Sequence, residues 1–284
     1  MSRLSMQHIS VMSVQYWHYS FDYFLNSMEQ CGLKNIEFWA GAPHYCFDDH
    51  ETRAEASQKI TAMRRQIEAR GMRMIMYTPE QLNYPVNIAG RDPAYRRKSL
   101  NYFIRAMEDA LEFGCPRVFI TSGWGLRDEP REEAWKRSVE SLALLSRQAT
   151  EKGVTLVIEQ LQPYESNLLV TGADMARMVS EVDSSALQCC VDLVAMAVSG
   201  ERLQPFFDRL GPRVQHIHFA DGSPSGHFIL GDGHLPLLEY LKILEANDYM
   251  GYLTLEINDA IYWENPHDSI ARSAAYLRRF LPEA

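Results

Sequence analysis

The 284-residue chain has no apolar run near the roughly 20 residues that a membrane helix needs. Its opening, MSRLSMQHISVMSVQYWHYS, lacks the unbroken apolar stretch of a secretory signal, so no signal peptide is expected. Cysteine is scarce. The five (Cys31, Cys46, Cys115, Cys189, Cys190) are odd in number and form no CxxC pair, which argues against a disulfide framework and a cysteine-rich zinc site. Adjacent Cys189 and Cys190 lie in an apolar run and suit small buried hydrophobes of a reducing, cytoplasmic protein. Positive charge is also short, with 28 Lys and Arg against 37 Asp and Glu and a net charge of −9. That balance disfavours a nucleic-acid surface and favours a small-molecule partner. No Ser/Gly-rich linker, charge block or low-complexity segment divides the chain, so one domain over 1–284 is expected.

What the chain does have is rhythm. Helical patterns end on glycine just before an apolar strand at Gly32, Gly71, Gly114, Gly153, Gly211 and Gly251, often about 40 residues apart. Between Gly153 and Gly211 the turn Asp183-Ser184-Ser185 takes the glycine's place. The spacing predicts strands near 7–14, 34–39, 72–78, 116–121, 154–159, 187–192, 213–219 and 252–257. Helices are expected near 20–31, 52–70, 93–113, 131–152, 172–181, 202–210, 236–247 and 267–281. Strands apolar on both faces, each followed by a helix, belong to a parallel sheet. Eight such units make an α/β fold, a single-domain (βα)8 TIM barrel.

The last strands end on polar residues. VTLVIE ends at Glu159, LQCCVD at Asp192, RVQHIH at His218 and YLTLE at Glu256. An isolated carboxylate at a strand end is ordinarily a helix cap or a solvated loop residue. Side chains alternate along a strand, so Glu159 shares a face with Val157 and Thr155, Asp192 with Cys190 and Gln188, and Glu256 with Thr254 and Tyr252. The opposite faces are wholly apolar and belong under the helices. Strand seven is less clean, because His216 shares a side with His218 while Gln215 opposes it. Three inward carboxylates around one imidazole repel one another unless a cation stands between them. Oxygen-rich ligation with one imidazole suits a single divalent ion, Mn²⁺, Mg²⁺ or Co²⁺ before Zn²⁺.

The same strand ends carry a resemblance. IEFWAGAPHYCF, YTPEQLNYPVNIAG, EQLQPYESN, CCVDL, HIHFADGSPSGHFILGDGHLPL, GYLTLEIN and the tail RFLPE resemble the xylose isomerase-like barrel superfamily. That superfamily holds sugar isomerases and epimerases and also endonuclease IV. The similarity runs nearly the whole chain, and the segments around Pro79 and Tyr164 are those of its fructoselysine 3-epimerase branch. It implies Glu159, Asp192, His218 and Glu256 as metal ligands, and Glu165 as a substrate contact. Glu159 and Glu256 have a second implied duty as the acid/base pair inverting C3 of a ketose or ketosamine, of the fructoselysine/psicoselysine type, through a cis-enediolate. Two positions depart from the ketose 3-epimerases: Ala195 stands where they carry His, and Pro224 where they carry Arg. Both bear on the substrate, and the loss at Ala195 counts against a nuclease.

Other residues suit substrate contact. Glu165 could take a hydroxyl or form a loop salt bridge. His216 could support metal or substrate, or simply be a hydrogen-bonded interior histidine. Trp39, His44, Tyr77 and Tyr84 offer faces for a sugar, although barrel-mouth packing is the more ordinary role for each. Glu37 could line the pocket from strand two, and His227 lies in the Gly-rich DGSPSGHFILGDG, which could be a lid or a phosphate clamp but, with no Lys or Arg beside His227, reads first as a mobile loop. The competing readings are an aldose–ketose isomerase on the same site and a non-catalytic sugar-binding barrel. The implied partners are a sugar or amino-sugar adduct and further copies of the chain in a homo-oligomer, with no nucleic acid and no membrane.

Overall fold

The computed structural model describes residues 4–81 and 86–283; Tyr84 lies outside them. Among the described residues eight parallel strands close into a barrel in sequence order: β1 (Ile9–Met12), β2 (Asn35–Ala40), β3 (Arg73–Pro79), β4 (Arg117–Ile120), β5 (Thr155–Glu159), β6 (Leu187–Asp192), β7 (Val214–His218) and β8 (Tyr252–Leu255). Around them run α1 (Phe21–Gln30), α2 (Arg53–Ala69), α3 (Pro93–Glu112), α4 (Arg131–Lys152), α5 (Gly172–Val182), α6 (Leu193–Val198), α7 (Gln204–Leu210), α8 (Leu237–Ala246) and α9 (Pro266–Leu277). This is the (βα)8 barrel expected from the strand–helix rhythm. No described helix is long and apolar enough to cross a membrane.

Alternation builds two apolar layers. Leu156, Ile158, Leu187, Cys189 and Val191 point outward into the main core beneath the helices. Met76, Phe119, Val157 and Cys190 point inward and form a separate plug, with Tyr252 against it. The plug closes the barrel beneath its C-terminal mouth.

Several boundaries differ from the sequence expectation. β1 is only Ile9–Met12, flanked by 3-10 turns at Met6–His8 and Ser13–Tyr16. Residues after Asp192 form the additional helix α6, because the Asp192 carboxylate accepts the Ala195 N–H. The last helix stops at Leu277, and β8 stops at Leu255, leaving Glu256 just past the ladder. Asp183 (φ 46°) and Asp248 (φ 50°) take the left-handed conformation after α5 and α8, where several other units use glycine. Gly251 serves another purpose. A Cβ there would stand 2.3 Å from the Gln215 carbonyl oxygen, so close approach of β7, not a left-handed turn, requires glycine.

Candidate active site

The ends of β5, β6, β7 and β8 bring Glu159, Asp192, His218 and Glu256 together. One ligand-type atom from each lies within 4.8 Å of all the others. Glu159, Asp192 and His218 are buried and Glu256 is half-buried. Strand seven keeps the parity that its sequence left ambiguous: His216 and His218 both point into the barrel, where both reach Glu37 of β2.

His218 shows what the cluster is shaped for. Its Nε2 stands 3.1 Å from Glu37 Oε1. Its Nδ1 faces the cluster, 2.5 Å from Glu159 Oε1 and 2.8 Å from Glu256 Oε2. Despite that crowding, Nδ1 is buried without a hydrogen bond of acceptable geometry. A buried imidazole nitrogen that converges with carboxylate oxygens yet hydrogen-bonds to none of them suits a shared cation, so the donor set fits a divalent metal. Phe119 stacks on the imidazole at 5.2 Å and 25° and fixes its plane. Asp192 both caps α6 through Oδ1 and presents Oδ2 to His227 Nε2 at 3.0 Å. A second grouping, Cys190 with His216 and His218, is a poorer ligand set. Burial drives the Cys190 thiol well above its ordinary range, leaving it neutral.

The protonation pattern is that of crowded acids around buried imidazoles. Burial lifts the Glu159 carboxyl to about 8 against the pull of His218, with Asp192 and Glu256 adding to the rise. Asp192 is also pushed up by burial, but His227, His218 and the Ala195 N–H outweigh this and hold it below the usual range. Burial disfavours a charged His227, yet Asp192 and Glu256 raise it to about 9. His218 is likewise raised despite its burial by the acidic groups around it.

The remaining candidates divide. Glu165 lies in the turn after β5, where its Oε2 accepts the Gln162 N–H at 2.9 Å and Oε1 accepts the Tyr164 hydroxyl at 3.3 Å. Among the described residues it makes no salt bridge, and burial followed by the nearby Asp192 and Glu256 raises its carboxyl. His227 reaches the cluster from the loop after β7. That loop is organised around buried Asp221, whose carboxylate accepts the N–H groups of Gly222, Gly231 and Leu235. Trp39 sits at the mouth, half-buried, donating its indole N–H to Glu80 at 2.9 Å.

His216 is completely buried below His218, bound to Glu37 and Thr254. His44 and Tyr77 are not brought to the site. His44 is buried in the outer layer beside Phe21 and Phe24, its Nε2 donating to the Tyr19 carbonyl. Tyr77 packs against Phe38 and Phe113, facing the helices, because it has the opposite parity to Thr78.

Residues that sequence reasoning missed line a cavity of about 650 Å³ beside Trp39: Gln15, Trp17, His18, Glu80, Asn258 and Trp263 among them. Asn258 links it to the cluster by donating to Glu256 Oε1 at 3.3 Å. Gln15 is buried with neither amide atom hydrogen-bonded.

The family model for the xylose isomerase-like TIM barrel matches residues 25–280. The chain belongs to that family. A fructoselysine 3-epimerase of Escherichia coli O157:H7 is 32% identical over 256 residues, covering 89% of this chain and 91% of that protein. A 3-dehydro-D-guloside 4-epimerase of Escherichia coli K12 is 26% identical over 192 residues, covering 64% of this chain and 71% of its own. Among solved structures, a D-psicose 3-epimerase from Clostridium cellulolyticum H10 with D-tagatose superposes with a TM-score of 0.79. It is 16% identical, covering 98% of this chain and all of its own, a likeness of fold. With these relatives, this member of the xylose isomerase-like family is an isomerase.

Proposed function

We propose that the chain is a divalent-metal-dependent 3-epimerase acting on a ketose or ketosamine, of the fructoselysine/psicoselysine type. The observation that carries this reading is the His218 Nδ1, buried without a hydrogen bond between the Glu159 and Glu256 carboxylates. Glu159, Asp192, His218 and Glu256 would hold the cation, Mn²⁺, Mg²⁺ or Co²⁺ before Zn²⁺. A bound ion supplies Lewis acidity toward a substrate carbonyl and its neighbouring hydroxyl. Glu159 and Glu256, on β5 and after β8, take the acid/base roles from opposite faces of C3. One accepts the C3 proton and the other returns a proton to the far face, inverting the centre. Glu165 and His227 orient the substrate's oxygens beside the cluster.

The adjoining cavity supports the ketosamine form. It offers the indoles of Trp17, Trp39 and Trp263 and the carboxylates of Glu80 and Asp259, with no lysine or arginine among its described lining residues. Indole faces and carboxylates together favour an ammonium group. The test is a panel of fructoselysine, psicoselysine and unsubstituted ketoses in D₂O with Mn²⁺, followed by NMR. Deuterium entering at C3 with appearance of the epimer supports the reading. Exchange confined to C1 would make the enzyme an aldose–ketose isomerase, and binding without any exchange would make it a sugar-binding barrel.

A further inference from the structure

Glu37 stands inside the barrel, in the middle of β2, with none of its surface exposed. Three side chains converge on its carboxylate. Thr78 Oγ1 donates to Oε1 at 2.8 Å, His216 Nε2 is 2.6 Å from Oε2, and His218 Nε2 is 3.1 Å from Oε1. A carboxylate only accepts, so both imidazoles present N–H groups to it. For His218 this has a direct consequence. In the neutral imidazole that a metal requires, Nε2 carries the proton and Nδ1 aims its lone pair at the opening between Glu159 and Glu256.

The support extends downward. His216 Nε2 also lies 3.0 Å from Thr254 Oγ1, whose hydroxyl is in close contact with that of Ser10. Glu37 is thereby tied to β1, β3, β7 and β8 at once. Its position is overdetermined and its carboxylate cannot turn away from His218. Satisfying buried His216 alone would not demand this, because Thr254 already stands within hydrogen-bond distance of the same nitrogen.

We propose that Glu37 is a positioning residue that fixes the tautomer and ring orientation of His218 for a divalent cation. The inference rests on the metal-site reading above. Histidine ligands to metals generally pass their other N–H to a carboxylate or carbonyl, and loss of that partner costs about 10–100-fold in metal affinity.

The experiment measures Mn²⁺ affinity by chelator competition and the ring nitrogens of His218 by long-range ¹H–¹⁵N NMR on the metal-free protein at alkaline pH, where the neutral imidazole carries a single ring proton. Wild type, Glu37→Gln and Glu37→Leu are compared, with thermal unfolding as the check on folding. Wild type is expected to show His218 as the Nε2–H tautomer. Glu37→Gln, which keeps one accepting oxygen, should bind Mn²⁺ more weakly than wild type but more tightly than Glu37→Leu. If Glu37→Leu does not fold, the affinity and His218 tautomer of Glu37→Gln decide the matter. Equal Mn²⁺ affinity across folded variants, or an Nδ1–H tautomer in wild type, overturns the role of Glu37 alone. Wild-type protein that binds no Mn²⁺ overturns the metal reading and this inference together.

Discussion

His227 Nε2 lies 3.0 Å from Asp192 Oδ2, so a residue of the loop after β7 touches a strand-end carboxylate of the acidic cluster. The contact comes from a segment whose own geometry depends on Asp221. Loop order and site chemistry are therefore linked, and substitutions at His227 and Asp221 separate them.

Replacing His227 by Ala removes a cation-forming group from beside Asp192 and Glu256. Turnover of the C3 substrate should fall about tenfold or more, the scale of one positioned hydrogen-bonding group. Thermal stability should change little. Steady-state kinetics with calorimetry on the same sample would check this; unchanged kcat/KM excludes His227 from the site.

Asp221→Asn attacks the loop without touching the cluster. Its two oxygens accept three backbone N–H groups, and an amide nitrogen would face one of them. Leaving a buried donor unpaired costs about 1–3 kcal/mol. A lower melting temperature is expected, together with a higher KM as the loop carrying His227 loses its anchor.

Glu256→Gln keeps size and most packing but removes a base. The expected result is a folded protein with weakened Mn²⁺ binding and C3 exchange reduced by about 10²-fold or more. Wild-type exchange in this variant would end the two-carboxylate proposal.

Metal loading should depend on pH in a set direction. In the metal-free protein Glu159 titrates at about 8, so below that pH it holds a proton that a cation must displace. The raised His218 adds to this competition. Mn²⁺ affinity should rise as pH increases from 6 toward 8, and binding at pH 7 should release about two protons, one from Glu159 and one from His218. Titration calorimetry in buffers of different ionisation enthalpy reads those protons directly. Chelation should abolish activity and lower the melting temperature, since a ligand at 100 times its Kd contributes about 2.7 kcal/mol.

The barrel and the four-residue cluster were legible because both follow from local rules. A polar residue closing each apolar run places Glu159, Asp192, His218 and Glu256 on one rim, and strand alternation turns Glu159, Asp192 and Glu256 inward; the facing of His218 came only with the closed barrel. Tyr77 shows the same rule neglected: Thr78, its neighbour, faces Glu37, so Tyr77 must face the helices. His44 lies in a turn, where no period applies, and its burial beside Phe21 and Phe24 depends on α1. The cavity of Gln15, Trp39, Glu80, Asn258 and Trp263 draws on loops far apart in sequence. Glu37 looked like a pocket-lining residue, and only barrel closure reveals that it lies under His218.

Glu159, Asp192 and His218 belong to their strands, whereas Glu256 follows the last residue of β8. Three members of the cluster are paired within the barrel's strands and the fourth stands just past the last paired residue of its own. Changes in the stretch 257–263 could therefore reset the angle and reach of Glu256 while leaving the other three unmoved. Evolution, or a laboratory library confined to that stretch, has a route to new substrates that does not require rebuilding the barrel.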